Sequence, residues 1–291
     1  MKMKNKQTTL LSQHLGHLNK KVLKFTEIKS FLNTNRNILD IPNGTPPRNT
    51  IQALLKEKHM VVVELNLGVR KEQRFILGRP DPYEVALLVR PASYFTHQTA
   101  LYLNGLTAKP PKIIYVNSEQ PLKYRSDNQL EQESIDNAFG VEQRQSQSRI
   151  KYNNREIRLL SGMNTNQLGV IEKQNTGETT IRYTDLERTL IDITVRPAYS
   201  GGVADVFRAY KKASSNLSLP KLLEYLGQLD YKYPYHQAIG FYLDRTGNFP
   251  VAQLEPLKQL GLNYDFYLTH AMKQRRFNPQ WRIHYPEELT D

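Results

Sequence analysis

The stretch TPPRNTIQALLKEKH, residues 45–59, decides how the N-terminal part of the chain is read. Thr45 offers a hydroxyl for an N-cap, and the Pro46 ring after it is preset for a first helical turn. The two prolines and Gly44 supply a turn before this helix. At about 100° per residue, Ile51, Leu54 and Leu55 fall on one side of that helix. Arg48, Asn49, Gln52 and Lys56 gather on the other. This polar side carries the chemistry that a DNA major groove requires. Arg grips guanine O6 and N7 with two bonds, Asn or Gln does the same at adenine N6 and N7, and Lys neutralises phosphate. Any solvated surface helix has a polar side too, so the flanking sequence must separate the two readings.

Upstream, residues 8–18 predict an amphipathic helix with Leu11, His14, Leu15 and Leu18 on one side. Thr26 is placed to cap a second helix, with Ile28, Phe31 and Leu32 turned inward. Downstream, VVVELNL and KEQRFIL alternate around Gly68, Val69 and Arg70, the pattern of a two-stranded hairpin. Three helices followed by a hairpin is the order of a winged helix-turn-helix. In that arrangement Arg70, Lys71 and Arg74 on the hairpin are placed to touch the nucleic-acid backbone or a neighbouring minor groove.

Charge points the same way. Ten Lys and five Arg against Asp40 and four Glu put +10 of the total +12 within residues 1–79. A polycationic end joined to a nearly neutral remainder suggests a polyanion-binding module attached to a domain with another task. Ribosomal or membrane-surface attachment would carry the same sign.

The chain's 291 residues exceed the usual single domain, and Gly78, Arg79, Pro80, Asp81 and Pro82 mark a turn-like boundary. The expected division is therefore 1–80 and 81–291. No apolar run approaches the roughly 20 residues of a membrane-spanning helix. The basic start is interrupted by Gln13, His14 and His17, so it is not read as a signal peptide. With no cysteine, disulfides and thiolate zinc sites are excluded, which fits a cytoplasmic protein.

Beyond the boundary the pattern is mixed, and the fold class is expected to be α+β. Residues 81–90 and 93–104 predict helices, and KIIYVN predicts a strand. The Gln- and Ser-rich stretch 117–148 reads as a long loop. Short strands are expected near 149–150, 157–160, 168–171 and 179–183. Helices then dominate from Thr184, and the tail carries two strand-like aromatic runs at 264–268 and 281–285.

The acidic cluster in YTDLERTLIDI, residues 183–193, raises a metal-dependent nuclease or transferase reading through Asp185, Glu187 and Asp192. A structural account explains more. Thr184 and Glu187 have capping-box spacing, Asp185 favours the positive end of the helix dipole, and Arg188 and Asp192 pair at i,i+4. No HExxH, Walker lysine or G-x-S-x-G motif occurs. His97 and His236 read as buried, hydrogen-bonded residues, and Tyr231, Tyr233 and Tyr235 as core anchors. No catalytic residue, metal or cofactor is expected.

Several stretches together resemble the AbiE-type antitoxins of type IV toxin–antitoxin pairs. They are DPYEVALLVRPASYFTHQTALYLNGL (81–106), KIIYVNSEQ (112–120), YTDLERTLIDITVRPAYSGGV (183–203) and YPYHQAIGFYLDRTG (233–247). The resemblance implies a winged-helix domain that binds inverted repeats in its own promoter and represses it, as a monomer or a DNA-induced dimer. It also implies a larger C-terminal domain that neutralises a cognate nucleotidyltransferase-fold toxin. The DNA role would fall on Arg48, Asn49, Gln52, Lys56, Arg70, Lys71 and Arg74. The chain departs from the family in an extra basic segment at residues 2–6, read as an arm along phosphates, and in a long connection over residues 33–44. Competing readings are a nucleic-acid-processing enzyme using Asp185, Glu187 and Asp192, and a stand-alone regulator whose second domain senses a ligand or dimerises.

Overall fold

Hydrophobic periodicity sorts the chain into helices and strands that assemble as two compact units, and neither unit is one continuous segment. A computed structural model describes residues 5–18, 20–42, 44–90, 92–122, 129–174 and 180–289. The first unit takes Met1–Ser93 and Ser146–Leu160, and the second takes Tyr94–Gln145 and Ser161–Asp291. The expected boundary at residue 80 is thus displaced, and the first unit recovers a later hairpin. The basic run 2–6 lies outside the residues whose side chains are described.

The first unit opens with α1 (Asn5–Gly16), β1 (Val22–Leu23), α2 (Phe25–Thr34), α3 (Pro47–Lys56), β2 (Met60–Asn66), β3 (Lys71–Leu77) and α4 (Pro82–Val89). Leu11, Leu15, Ile28, Leu32, Ile51 and Leu54 from the first three helices close on Leu23, Met60 and Phe75 in one apolar cluster. Two helix starts differ from expectation. α2 is entered from Lys24, whose backbone N–H donates to the Glu27 carboxylate at 2.6 Å, and Thr26 lies inside the helix. α3 is entered from Pro46 with no side-chain cap, because Thr45 lies one residue too early to reach the first-turn amides. Asp81 does cap α4, accepting from the amides of Tyr83 and Glu84.

β4 (Tyr94–Phe95), α5 (His97–Leu103), β5 (Ile113–Asn117) and α6 (Gln132–Gly140) belong to the second unit. Two expectations change here. Tyr94 and Phe95 form a strand, so the helix expected over 93–104 starts only at His97. The stretch read as a long loop contains α6, which buries Ile135 and Phe139 at helical i,i+4 spacing. The chain then returns to the first unit with β6 (Arg149–Tyr152) and β7 (Arg155–Leu160).

In the first unit the strands run in the order β1-β3-β2-β6-β7, with every pairing antiparallel. The β6–β7 hairpin turns on Asn153 and Asn154, both at positive φ (48° and 60°), as a type I′ turn needs. α4 packs against β7, and the Tyr152 hydroxyl donates to the Pro80 carbonyl at 2.8 Å. These contacts hold the nominal boundary segment inside the first unit.

The second unit continues with β8 (Val170–Gln174), β9 (Thr180–Thr184), α7 (Leu186–Val195), α8 (Val203–Ala213), α9 (Leu219–Leu229), α10 (Tyr235–Arg245) and α11 (Val251–Gln259). It ends with β10 (Phe266–Tyr267), β11 (Arg275–Asn278) and β12 (Ile283–Pro286). Within it the strands order as β5-β4-β9-β8 and, separately, as β10-β12-β11. α7, α8 and α10 supply much of the core, where Trp281 lies so close over Gly240 that a Cβ there would meet the ring at 2.1 Å. Tyr235 is buried in this core, and Tyr231 and Tyr233 pack against it. The class is mixed α+β. No helix among the described residues is long and apolar enough to cross a membrane.

Candidate nucleic-acid interface

α3 buries Thr50, Ile51 and Leu54 and leaves Arg48, Asn49, Gln52 and Lys56 exposed on its other side. Among the described residues none of these four side chains makes a hydrogen bond or an ion pair, so all four donors and acceptors face solvent. The turn leading into α3 is fixed by Arg36. Its guanidinium donates to the Pro42 carbonyl at 3.1 Å and to the Thr45 carbonyl at 2.9 Å. Sequence reading missed this role, since an Arg in a connecting segment carries no local signal of what it binds.

The sheet register places the hairpin residues. Residues paired across strands project to the same side, and neighbours along a strand alternate. Met60 and Phe75 belong to the cluster beneath α1–α3, so they mark the side on which α3 lies. On that side the β2–β3 hairpin carries Glu64, Asn66, Lys71 and Gln73 towards its tip. Lys71 pairs with Glu64 at 3.0 Å. The opposite side carries Val63, Leu65 and Ile76, all buried, and with them Glu72 and Arg74.

Arg74 is therefore separated from α3's polar side by the sheet. It is largely buried and bonded to Glu72 at 2.5 Å, and that bond holds the Glu72 carboxyl below its ordinary range. Arg70 sits at the tip and pairs with Glu72 at 2.8 Å. Six of the seven expected residues thus lie on α3, at the tip or on α3's side of the sheet, and Arg74 does not.

The tip is a four-residue connection closed by the Leu67 amide donating to the Arg70 carbonyl at 2.8 Å. Gly68 takes a φ of +85°, a conformation that favours glycine, and its amide donates to the Asn66 side chain. Val69 beside it is 100% exposed, an apolar side chain held wholly in solvent.

The acidic cluster of the second unit is arranged differently. Asp185 caps α7, accepting from the Arg188 amide, the Tyr225 hydroxyl and the Lys221 ammonium. Glu187 accepts from the Ser218 amide at 2.9 Å and from Lys221 at 3.0 Å. Asp192 accepts from the Arg188 guanidinium at 2.9 Å and from the Thr96 hydroxyl at 2.8 Å. All six carboxylate oxygens are engaged by donors of the chain, and no trio of acidic or His residues among the described ones has metal-binding geometry. The capping box expected from Thr184 and Glu187 is absent. Thr184 instead bonds Thr189, and Asp185 takes the cap. The Arg188–Asp192 pair forms as expected and is buried.

His236 is hydrogen-bonded as expected, to the Gly261 carbonyl at 2.6 Å. His97 is buried against Tyr115 and Tyr199, and its Nδ1 has no partner among the described residues.

No family profile and no curated protein matches the sequence. Among solved structures, the crystal structure of the RV2827C protein from Mycobacterium tuberculosis is similar in fold, with a TM-score of 0.61. The match covers 98% of this chain and 93% of that one at 14% identity. At that identity the likeness concerns the fold alone.

Proposed function

We propose that the first unit is a winged helix-turn-helix that binds duplex DNA, with α3 as its recognition helix and the β2–β3 hairpin as its wing. One observation carries this reading. Arg48, Asn49, Gln52 and Lys56 stand together on an exposed helix side with their hydrogen-bonding capacity unused. Buried or paired polar groups would have to break existing bonds before reading a base edge, and these do not. Support also comes from the order α1, β1, α2, α3, β2, β3, in which the helix pair and the hairpin flank α3. The exposed Val69 at the tip, beside Arg70 and Lys71, suits the wall of a minor groove.

By its resemblance to the AbiE-type antitoxins, the chain is proposed to repress its own promoter at inverted repeats. The larger C-terminal part would neutralise a nucleotidyltransferase-fold toxin. The second unit's engaged acidic cluster supports a structural role for Asp185, Glu187 and Asp192 over a catalytic one.

Two assays test the proposal. A reporter driven by the chain's own upstream region should be repressed by the wild type and released by Arg48→Ala together with Gln52→Ala. Co-expression with a candidate nucleotidyltransferase-fold toxin should restore growth, and the same α3 variant should still restore it. A reporter indifferent to the wild type removes the repressor role, and toxicity that persists with the full chain removes the antitoxin role.

A further inference from the structure

The segment Ser146–Leu160 joins the first unit although it is separated from it by more than fifty residues of chain, and it is strongly basic. It carries Arg149, Lys151, Arg155 and Arg158 against Glu156, a net +3. Residues 1–93 hold ten Lys and six Arg against two Asp and five Glu, a net +9. The first unit thus carries the chain's entire formal charge of +12, and the second carries none. Within the hairpin the register puts Arg149, Lys151 and Arg158 on one side with Glu156, which stands opposite Lys151 and pairs with Arg158, and puts Arg155 on the other.

Register fixes where those cations lie. β6 pairs with β2 at the wing end, Leu65 opposite Ile150 and Asn66 opposite Arg149. Asn66 in turn stands opposite Lys71. Lys71, Asn66 and Arg149 therefore form one row across three strands, on the side of the sheet where α3 lies. Adjacent strands are about 4.8 Å apart, so Arg149 lies within two strand spacings of Lys71. Lys151 follows two residues along β6 on the same side and is exposed. The alternate residues Ile150 and Ile157 are buried on the far side, which pins this orientation, because a one-residue slip would exchange the two sets. Neither Arg149 nor Lys151 makes an ion pair among the described residues. At the wing turn, a Cβ built on Gly68 would lie 3.9 Å from the Gln147 Cβ, so the chain entering β6 runs alongside the tip.

We propose that the β6–β7 hairpin is a second, inserted part of the nucleic-acid interface, in which Arg149 and Lys151 bind phosphates of the duplex next to the one the wing engages. The inference rests on the reading of the first unit as a DNA-binding module and extends its footprint beyond α3 and the wing. The occupant is a phosphate backbone because a half-buried Arg149 and an exposed Lys151, neither of them ion-paired among the described residues, continue the cationic side of the wing onto the neighbouring strand. Their role is positioning, so they strengthen binding to all sequences alike.

The test is fluorescence anisotropy of the full chain on a duplex of its own upstream region and on a random duplex, from 50 to 200 mM KCl. Arg149→Gln with Lys151→Gln should make the slope of log affinity against log salt shallower by about two, as two phosphate contacts are lost. Affinity should fall by the same factor on both duplexes. Lys151→Glu alone, at an exposed position, repeats the test where the double variant fails to fold, and should lower the slope by at least about one. Wild-type binding with unchanged slopes in both variants overturns the extension and leaves the α3 reading standing. Unchanged DNA binding with lost growth rescue assigns the hairpin to a protein partner and likewise overturns it. A wild type that binds neither duplex overturns the reading and its extension together.

Discussion

His97 enters α5 with a φ of +52°, is 8% exposed, and leaves its Nδ1 without a hydrogen bond among the described residues. Burial holds the imidazole pKa down to about 4, with Arg196 and Arg188 acting in the same direction against Asp192. The unfolded chain therefore takes up this proton near pH 6.5, before the folded chain does. Stability is complete above that pH and is lost as pH falls towards 4, by on the order of 3 kcal/mol for this one group. His236, His270 and His284 are shifted the same way by burial and add to the trend. Urea denaturation at pH 7, 5.5 and 4.5 should show this loss, and His97→Asn should reduce it, since Asn tolerates positive φ. An unchanged pH slope in that variant would remove His97 as its source. At this scale the sequence was legible where chemistry is local, as for the Arg188–Asp192 pair. It was not legible where the partner is distant. Glu187 has perfect capping-box spacing, yet Lys221 and the Ser218 amide draw it away and leave Asp185 as the cap.

Among the elements, α3 was the most legible, because its apolar stripe and its polar side follow directly from helical period. Its start was misread by one residue, since Thr45 has the right chemistry but Pro46 occupies the cap position. β1 escaped notice because two residues are too few to show alternation, and it exists only through pairing with β3. α6 had a signal in the i,i+4 pair Ile135 and Phe139 that its polar surroundings masked. The β6–β7 turn was also signalled, by the Asn-Asn pair between two alternating runs. Arg74 was misplaced because a hairpin read without register does not say which side a residue takes. On α3 the four exposed residues predict different losses. Arg48→Ala should cost about 1–3 kcal/mol on the operator and relax specificity at one base pair, if it grips a guanine edge. Lys56→Ala should weaken operator and random duplex equally and lower the salt slope by about one. Anisotropy titrations of both variants separate these outcomes, and identical behaviour on the two duplexes would deny Arg48 a base contact.

For the whole molecule, charge asymmetry was visible in the linear sequence, but its true partition was not. A boundary at residue 80 divides the charge as +10 and +2. The discontinuous units divide it as +12 and zero, because residues 146–160 fold back onto the wing. That return depends on β2–β6 pairing between residues about eighty apart, which no local pattern specifies. A polycationic unit joined to a neutral one should bind DNA by releasing counterions, while the other unit contributes little to the salt dependence. The most direct test is titration of the full chain with its own upstream duplex and with a scrambled duplex of the same length, across 50 to 200 mM KCl. The predicted result is tighter binding to the upstream duplex at every salt, with log affinity falling steeply and linearly with log salt on both. Equal affinity for the two duplexes, or no measurable binding at 50 mM, would contradict it.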